Sequence, residues 1–282
     1  MNKTILITGS TDGIGLATAK SLVKLGHTVL LHGRSEAKLA DAKTQLLALV
    51  KTEAKTGTNP DKPELVFTYQ ADLSSLTETK ALAEKIKAEH NKLDTLINNA
   101  GVFIVPATIT PDDFDVRFMV NTIAPYLLTQ ALLPLLGDNA RVINLSSAAQ
   151  APLSAQELLK PSTLSDSAVH AKSKLALTMW SRQLALTLGK KGPVVVAINP
   201  KSFLGSKMVE QAYGVTGSDV QLGADILVRA ALSEEFSSAT GLYFDNDIGK
   251  FSSPHPDALN PEKIAELTQV LEQVINKVTS DN

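Results

Sequence analysis

The chain has 282 residues, of which 44% are hydrophobic and 20% are charged, and its formal net charge is −2. This length and apolar content allow a large buried core and exclude a chain that is disordered by composition. The charges are mixed in sign and form no basic stripe, so nucleic acid is not an expected partner. The chain has no cysteine, which excludes disulfides, thiolate catalysis and thiolate metal sites.

Short β-branched runs alternate with longer amphipathic segments along the whole chain. The predicted strands are KTILITG, HTVLLHG, ELVFTYQ, LDTLINNAG, ARVINLSS, PVVVAINP and TGLYFD. The helices between them are GIGLATAKSLVKLG, then about 35–51, 74–90, an apolar helix from near Pro111, 168–189 and 219–232, with a closing helix over 261–278. This alternation predicts an α/β fold, a doubly wound parallel sheet of about seven strands with helices on both faces.

No internal repeat or linker divides the chain, so we predict a single domain over 1–282, with its core at about 3–245. The stretch KTGTNPDKP (55–63) is rich in turn residues and predicts a surface excursion. Two irregular loops, at about 148–165 and 201–218, follow strands at the edge where such sheets bind ligands. A C-terminal extension covers about 246–282.

The N-terminus lacks the apolar region and cleavage site of a signal peptide, which favours a cytoplasmic protein. Phe118–Gly137 has no charged residue and is long enough to cross a bilayer. It also contains Asn121, Gln130, Pro125 and Pro134, which suit a buried helix better than an isolated membrane span. We therefore expect no membrane span.

A glycine-rich turn, TGSTDGIG, separates the first strand from the first helix. Glycine there permits a tight turn and close approach of the backbone to a pyrophosphate, which the helix N-terminus also attracts. Such a turn can also be a plain structural loop, but its place after the first strand favours dinucleotide binding. The candidate ligands are Gly9, Ser10, Thr11, Asp12, Gly13, Ile14 and Gly15.

The end of the second strand, LLHGRS, bears on the choice of dinucleotide. NAD sites usually place an acidic residue there for the ribose 2′-OH, whereas this chain has Gly33 and Arg34. A guanidinium suits a 2′-phosphate, so NADP(H) is preferred. Glu36 lies nearby and is an acidic residue of the kind that NAD sites use, so NAD(H) stays an alternative.

These motifs, together with NNAG (98–101), Asn121 in MVNTIAPYLLT, the serine pair in VINLSS and HAKSK, resemble the short-chain dehydrogenase/reductase family. The tract SKLALTMWSRQLA and the long gap after the serine pair are most similar to its retinol-dehydrogenase and protochlorophyllide-reductase branch. The resemblance implies a Rossmann-type fold and further cofactor contacts. Those contacts are Asp72 and Leu73 at the adenine, Asn99, Ala100 and Gly101 in the NNAG turn, Pro200, and Lys174 at the nicotinamide ribose.

The resemblance also implies a catalytic set. Ser147, the second serine of the pair, would orient a substrate carbonyl, and Asn121 would anchor a water chain to Lys174. Where the family has its catalytic tyrosine this chain has His170, and Lys201 replaces the glycine of the family's PG motif. Relatives commonly form homodimers or homotetramers through the helices at about 111–136 and 167–190.

The role of His170 stays open at this point. It lies four residues before Lys174, so the two side chains share a helical face, and the lysine charge disfavours an imidazolium. His170 could serve as a slower or pH-shifted acid/base, or the chemistry could be weak or lost. Alternatively, Lys174 or a loop tyrosine such as Tyr213 could supply the proton.

The five histidines show no metal-ligand spacing, and we predict no metal site. DNDIG (245–249) departs from the calcium-loop pattern and is interpreted as a turn after the last strand. The apolar residues scattered over about 201–217 suit a lid over a hydrophobic substrate.

The leading hypothesis is an NADP(H)-dependent oxidoreductase that interconverts a carbonyl and an alcohol on a small molecule. The rival hypothesis is a non-catalytic or catalytically impaired dinucleotide-binding protein, a sensor or scaffold.

Overall fold

The computed structural model describes residues 2–53 and 64–280, so the expected excursion at 55–63 lies outside the described residues. The described residues form one eight-stranded sheet in the order β3-β2-β1-β4-β5-β6-β7-β8. The strands are β1 (Thr4–Ile7), β2 (Thr28–Gly33), β3 (Val66–Gln70), β4 (Thr95–Asn98), β5 (Arg141–Leu145), β6 (Val194–Asn199), β7 (Tyr243–Asp245) and β8 (Lys250–Ser252).

The first seven strands pair in parallel, which confirms the predicted doubly wound sheet. The short eighth strand pairs antiparallel with β7 through the DNDIG turn. The expectation that TGLYFD ends the sheet was therefore wrong. Lys250–Ser252 is too short and too polar to read as a strand before its pairing partner is known.

The helices are α1 (Gly13–Lys24), α2 (Glu36–Glu53), α3 (Leu76–Glu89), α4 (Val116–Phe118), α5 (Ala124–Leu132), α6 (Asp166–Leu188), α7 (Lys207–Tyr213), α8 (Gln221–Leu232) and α9 (Pro261–Ser280). A π-helical stretch, Met119–Ile123, joins α4 to α5 into one continuous rod. The rod begins at Val116, not near Pro111, because the Asp115 carboxylate caps it by accepting a hydrogen bond from the Arg117 N–H at 2.9 Å.

Each face of the sheet is covered by an apolar layer. One layer packs α3, α5 and α6 against the sheet, with α9 outside them on α6, and the other packs α1, α2 and α8. The strand order reverses between β1 and β4, so the crevice beyond their carboxyl ends is the place where such sheets bind ligands. TGSTDGIG follows β1 and NNAG overlaps the end of β4, which brings both motifs to that crevice.

One helical segment of the described residues, Val116–Leu135, is long and apolar enough to cross a membrane, but 72% of its apolar 18-residue stretch is buried inside the fold. Such burial is typical of a helix in the core of a fold. The absence of a membrane span and a cytoplasmic location stay predictions.

The C-terminal helix α9 packs on α6. Its apolar face, including Ile264, Leu267 and Leu271, is buried, and no residue of α6 from Val169 to Ala185 is exposed. Much of the helix surface through which relatives were expected to associate is thus covered within the chain. The expected dimer or tetramer stays a prediction.

Candidate active site

The glycine-rich turn is fastened to the NNAG turn by a dense set of hydrogen bonds. The Thr8 hydroxyl accepts hydrogen bonds from the N–H groups of Asn99 and Ala100, both at 3.0 Å. The Asn99 amide donates to the carbonyl oxygens of Thr8 and Gly9 at 2.8 and 3.0 Å. Gly9 has φ +64°, and a Cβ at Gly15 would lie 2.4 Å from the Gly9 oxygen, so both positions require glycine.

The turn leaves a cradle at the start of α1. Asp12 caps the helix by accepting from the Gly13 N–H, and Gly13 has φ +52° with only Ser206 within 4 Å of where a Cβ would be. The positive end of α1 and this open backbone suit an anionic pyrophosphate. The residues present therefore fit a dinucleotide, which would lie against Gly9 and the residues from Thr11 to Gly15.

Two polar residues behind the turn hold it in place. Ser10 is fully buried, and its hydroxyl accepts from the His32 N–H at 2.9 Å. Its side chain therefore does not line the cleft with its neighbours, and its role as a cofactor contact stays a prediction. The His32 ring accepts from the Gly9 N–H at Nδ1 and contacts the Ala71 carbonyl through Nε2, both at 3.1 Å. Burial lowers the pKa of His32 to about 4.

Arg34 stands at the rim of the cradle. Its side chain is 69% exposed, and Nη1 lies 3.8 Å from Asp72 Oδ2. Asp72 accepts at Oδ1 from the backbone N–H and the hydroxyl of Ser74, at 2.9 and 2.8 Å. Leu73 lines the same end of the cleft.

The cradle continues into one cleft of about 890 Å³. At one end lie the glycine-rich turn and Arg34. At the other lies an apolar wall, formed by Phe103, Ile104, Val105, Pro106, Ile109, Val120, Met208, Val209 and Tyr213. Ser147, His170 and Lys174 line the cleft together with both parts.

Lys174 is buried, and its Nζ donates to the Leu145 carbonyl at 2.7 Å. Burial lowers the pKa of Lys174 to about 8. A Cβ at Gly101 would lie 3.5 Å from this nitrogen and 3.4 Å from Asn121 Oδ1, so glycine keeps the space in front of the lysine open.

Asn121 clamps the backbone of Val102. Its Oδ1 accepts from the Val102 N–H at 2.8 Å, and its Nδ2 donates to the Val102 carbonyl at 2.9 Å and to Ser173 Oγ at 3.0 Å. Asn121 sits behind the cleft wall and not on it. Its partners are backbone and serine groups, and the water chain to Lys174 that the resemblance implies stays a prediction.

His170 lies one turn before Lys174 on α6 and is only 7% exposed. Its Nδ1 lies 3.3 Å from the Val102 carbonyl oxygen, and its ring centroid lies 4.6 Å from that of Phe103. Burial first, and then the positive charge of Lys174, lower the pKa of His170 to about 3, although the Val102 hydrogen bond opposes the shift. The ring is neutral at pH 7.

The two serines after β5 face different ways. Ser146 is buried, and its hydroxyl lies 2.7 Å from Thr178 Oγ1. Ser147 lines the cleft, and its Oγ accepts from the Ala149 N–H at 3.1 Å. The structure thus brings Ser147, the second serine of the pair, beside His170 and Lys174.

Comparison with known proteins agrees with this geometry. The family model described as short chain dehydrogenase matches residues 3–213. The chain belongs to the short-chain dehydrogenase family. Polyprenol dehydrogenase of Homo sapiens is 37% identical over 204 residues, which cover 70% of this chain and 58% of that protein. Retinol dehydrogenase 14 of Mus musculus is 35% identical over 202 residues, 70% of this chain and 60% of that protein. The matches thus span about three fifths of these relatives.

Among solved structures, landomycin C-6 ketoreductase LanV with bound NADP and rabelomycin is 28% identical, with a TM-score of 0.65. The superposition covers 88% of this chain and 95% of that one. The chain therefore groups with the retinol-dehydrogenase-like branch of this family, and an NADP-bound ketoreductase shares its fold.

The loop after β6 departs from the family pattern at Lys201, yet it keeps a backbone that glycine favours. Lys201 has φ +124°. The conformation is held by Asp247, whose carboxylate accepts from the Ser202 N–H at 3.0 Å and from the Ser202 hydroxyl at 2.6 Å. Asp247 of the DNDIG turn thus holds the loop after β6 in place. Pro200 lines the cleft.

The loop at 201–218 carries α7, which was not predicted. Its Lys207 pairs with Asp12 of the cofactor turn at 2.5 Å, so the segment lies across the cradle. Tyr213 packs edge-on against Phe203 and lies 5.8 Å, centroid to centroid, from Phe103. Phe103 therefore contacts both Tyr213 and His170. No sequence signal pairs Asp12 with Lys207, because they lie 195 positions apart.

Within residues 2–53 and 64–280, no group of three or more histidine or acidic residues is arranged to hold a metal ion.

Proposed function

We propose that the protein is an NADP(H)-dependent oxidoreductase that interconverts a carbonyl and an alcohol on a neutral, apolar small molecule. One observation carries the proposal: a dinucleotide cradle and a largely apolar wall line one cleft together with Ser147, His170 and Lys174. Such a junction of a cofactor site with a dry substrate wall is what hydride transfer needs.

NADP(H) is preferred because Arg34 places an exposed guanidinium, 3.8 Å from Asp72, at the ribose end of the cradle, where NAD sites have an acid. The LanV ketoreductase holds NADP on the same fold. NAD(H) is the alternative, since Arg34 is exposed and Glu36 begins the adjacent helix.

The substrate end favours an apolar molecule. Its wall is built mainly from aliphatic, aromatic and proline side chains, with Gln211, Lys201 and Lys207 of the 201–218 segment also lining the cleft, so most of the wall offers a charged group no partner for its lost hydration. Polyprenol and retinol, which appear in the names of two relatives, are apolar alcohols of this kind.

When bound, the dinucleotide supplies or accepts the hydride. Ser147 donates its hydroxyl proton in a hydrogen bond to the substrate oxygen, and Lys174 holds the ribose from its buried position. His170 exchanges the proton. The removal of solvent by the apolar wall strengthens these polar contacts.

The test is turnover by the wild type and His170→Tyr side by side, with NADPH and a panel of apolar aldehydes and ketones from pH 5 to 9. NADPH-dependent turnover by the wild type supports the proposal. No turnover by the wild type, together with turnover by His170→Tyr, would favour the rival hypothesis of a dinucleotide-binding protein with impaired chemistry. No turnover by either protein, together with no binding of NADP(H) or NAD(H) in a titration, would overturn the proposal.

A further inference from the structure

The hydroxyl of Ser147 keeps a proton that it can donate into the cleft. Its Oγ accepts a hydrogen bond from the Ala149 N–H at 3.1 Å, and a hydroxyl oxygen that accepts in this way still carries its own proton. Within residues 2–53 and 64–280, no hydrogen bond donated by this hydroxyl is seen. The place at which the proton is offered thus depends on how the backbone of Ser147 is held.

The backbone is anchored differently on the two sides of Ser147. Before it, the Ser146 N–H donates to the Ile198 carbonyl of β6 at 2.8 Å. After it, Ala148 and Ala149 are both exposed, so no apolar packing fixes the loop there. The hydrogen bonds to the Ser147 carbonyl are therefore what fixes the peptide that follows the serine.

Two donors converge on the Ser147 carbonyl oxygen. The Tyr243 hydroxyl donates to it at 3.1 Å, and Gln150 Nε2 donates to it at 2.9 Å. Burial raises the pKa of the Tyr243 phenol, and the Asp245 carboxylate raises it further, so the hydroxyl keeps the proton that it donates. The tyrosine is only 5% exposed and belongs to β7, which pairs with β6 on one side and β8 on the other. The phenol is thus a fixed support for the serine peptide.

The two donors stand behind the cleft. Ser147 lines it, whereas Tyr243 and Gln150 are not part of its wall. A substrate or dinucleotide in the cleft would therefore contact the serine and not the two residues that hold its carbonyl. Any effect of Tyr243 on the reaction has to pass through the Ser147 peptide.

Resting on the proposed function, we propose that Tyr243, assisted by Gln150, is a positioning residue that holds the Ser147 hydroxyl at the substrate oxygen. Two donors on one carbonyl oxygen resist rotation of that peptide, and such a rotation would carry the serine Cβ and Oγ with it. A displacement of about 1 Å at a reacting group costs about 10²-fold in rate. The effect belongs to the chemical step, because the hydrogen bond from Ser147 strengthens as negative charge develops on the substrate oxygen.

The first test removes the donors one at a time. Tyr243→Phe keeps the ring and loses the O–H. Gln150→Leu keeps the size of the side chain, and the Oε1 that it removes is buried without a partner among the described residues. Hydride transfer from NADPH to an apolar aldehyde is then followed in single turnovers with excess protein.

Each single variant should slow hydride transfer about three- to tenfold, the value of one hydrogen bond, and the double variant about 10²-fold. The Kd of NADPH should be unchanged, because neither residue touches the cradle. An unchanged rate in Tyr243→Phe, or a loss that lies entirely in the Kd of NADPH, would overturn the proposal.

Tyr69→Phe is the matched control. It also removes a hydrogen-bonded hydroxyl from a buried tyrosine on a strand, since Tyr69 donates to Glu89 at 2.7 Å, but β3 lies at the opposite edge of the sheet. Tyr69→Phe should lower the unfolding midpoint as Tyr243→Phe does and leave hydride transfer unchanged. An equal loss of rate in the two variants would show a general loosening of the fold and would contradict a positioning role.

A double-mutant cycle with Ser147→Ala shows whether the effect passes through the serine. Once the serine hydroxyl is gone, Tyr243→Phe should cost nothing further in rate. The same loss in both backgrounds would overturn the positioning role and leave the proposed function standing. No turnover by the wild type with any aldehyde or ketone, despite dinucleotide binding, would overturn the proposed function and the positioning role with it.

Discussion

Lys201 occupies a backbone conformation that glycine adopts far more readily. Its φ of +124° costs a lysine about 1–3 kcal/mol, and the bonds from Ser202 to Asp247 keep the loop in that shape. Pro200, Lys201 and Ser202 line the same cleft as Lys174. The strain is therefore located where the chain meets the reacting groups.

Lys201→Gly should relieve this strain and raise the free energy of unfolding in urea by about 1 kcal/mol, after the entropic cost of glycine is subtracted. Lys160→Gly is the matched control, because Lys160 has φ −148° and should gain nothing. Equal effects of the two substitutions would show that Lys201 is not strained.

Arg34→Gln should weaken NADPH binding by about 10- to 100-fold, the value of a charge-assisted hydrogen bond to a phosphate. Binding of NADH, which lacks the 2′-phosphate, should change little. Fluorescence titration of both dinucleotides measures the difference. An equal loss for the two would mean that Arg34 acts only through its contact with Asp72.

The lid, which is the segment at 201–218, is joined to the cofactor turn by an ion pair. Helix α7 begins beside the cradle, and its Lys207 bonds to Asp12, the residue that caps α1. Both side chains are half-exposed or more, so the pair adds little stability. Its effect should instead be to hold the lid over a bound dinucleotide.

Lys207→Gln should speed the release of NADPH several-fold without altering the unfolding midpoint, since it frees the lid and removes no buried contact. Stopped-flow displacement measures this rate, and Lys250→Gln on β8 serves as a control of equal charge. Unchanged release from Lys207→Gln would contradict the role assigned to the pair.

The elements that carry motifs were predictable from sequence, because each depends on local pattern. TGSTDGIG after β1 and NNAG after β4 fall at one edge of the sheet by the geometry of parallel strands. The start of α4, the strand β8, the helix α7 and the inward turn of Ser10 were not predictable. Ser10 and α7 depend on partners distant in sequence, His32 and Asp12. The strand β8 is short and polar and is defined by its pairing with β7, and the start of α4 depends on which of three nearby aspartates caps it.

At the scale of the whole molecule, two buried neutral histidines tie stability to pH. The pKa values of His32 and His170 are lowered to about 4 and about 3, in both cases mainly by burial. The unfolded chain binds these protons near pH 6.5 and the folded chain does not. Stability is therefore present above pH 6.5 and is lost as pH falls toward 4.

The free energy of unfolding should fall by up to about 1.4 kcal/mol per pH unit for each histidine below pH 6. His170→Asn removes one of the two groups and should give a shallower slope between pH 6 and 4 in urea titrations. Identical slopes for wild type and variant would mean that His170 is not held neutral by the fold.

The most direct test of the central claim follows the hydride itself. Wild-type protein is incubated with NADPH carrying deuterium at both C4 positions and with an apolar aldehyde, and the alcohol is analysed by mass spectrometry. We predict one deuterium on the carbinol carbon, which shows that the cleft joins the dinucleotide to the substrate. Alcohol formed without deuterium, or saturating dinucleotide binding with no alcohol from any member of the panel, would contradict the account.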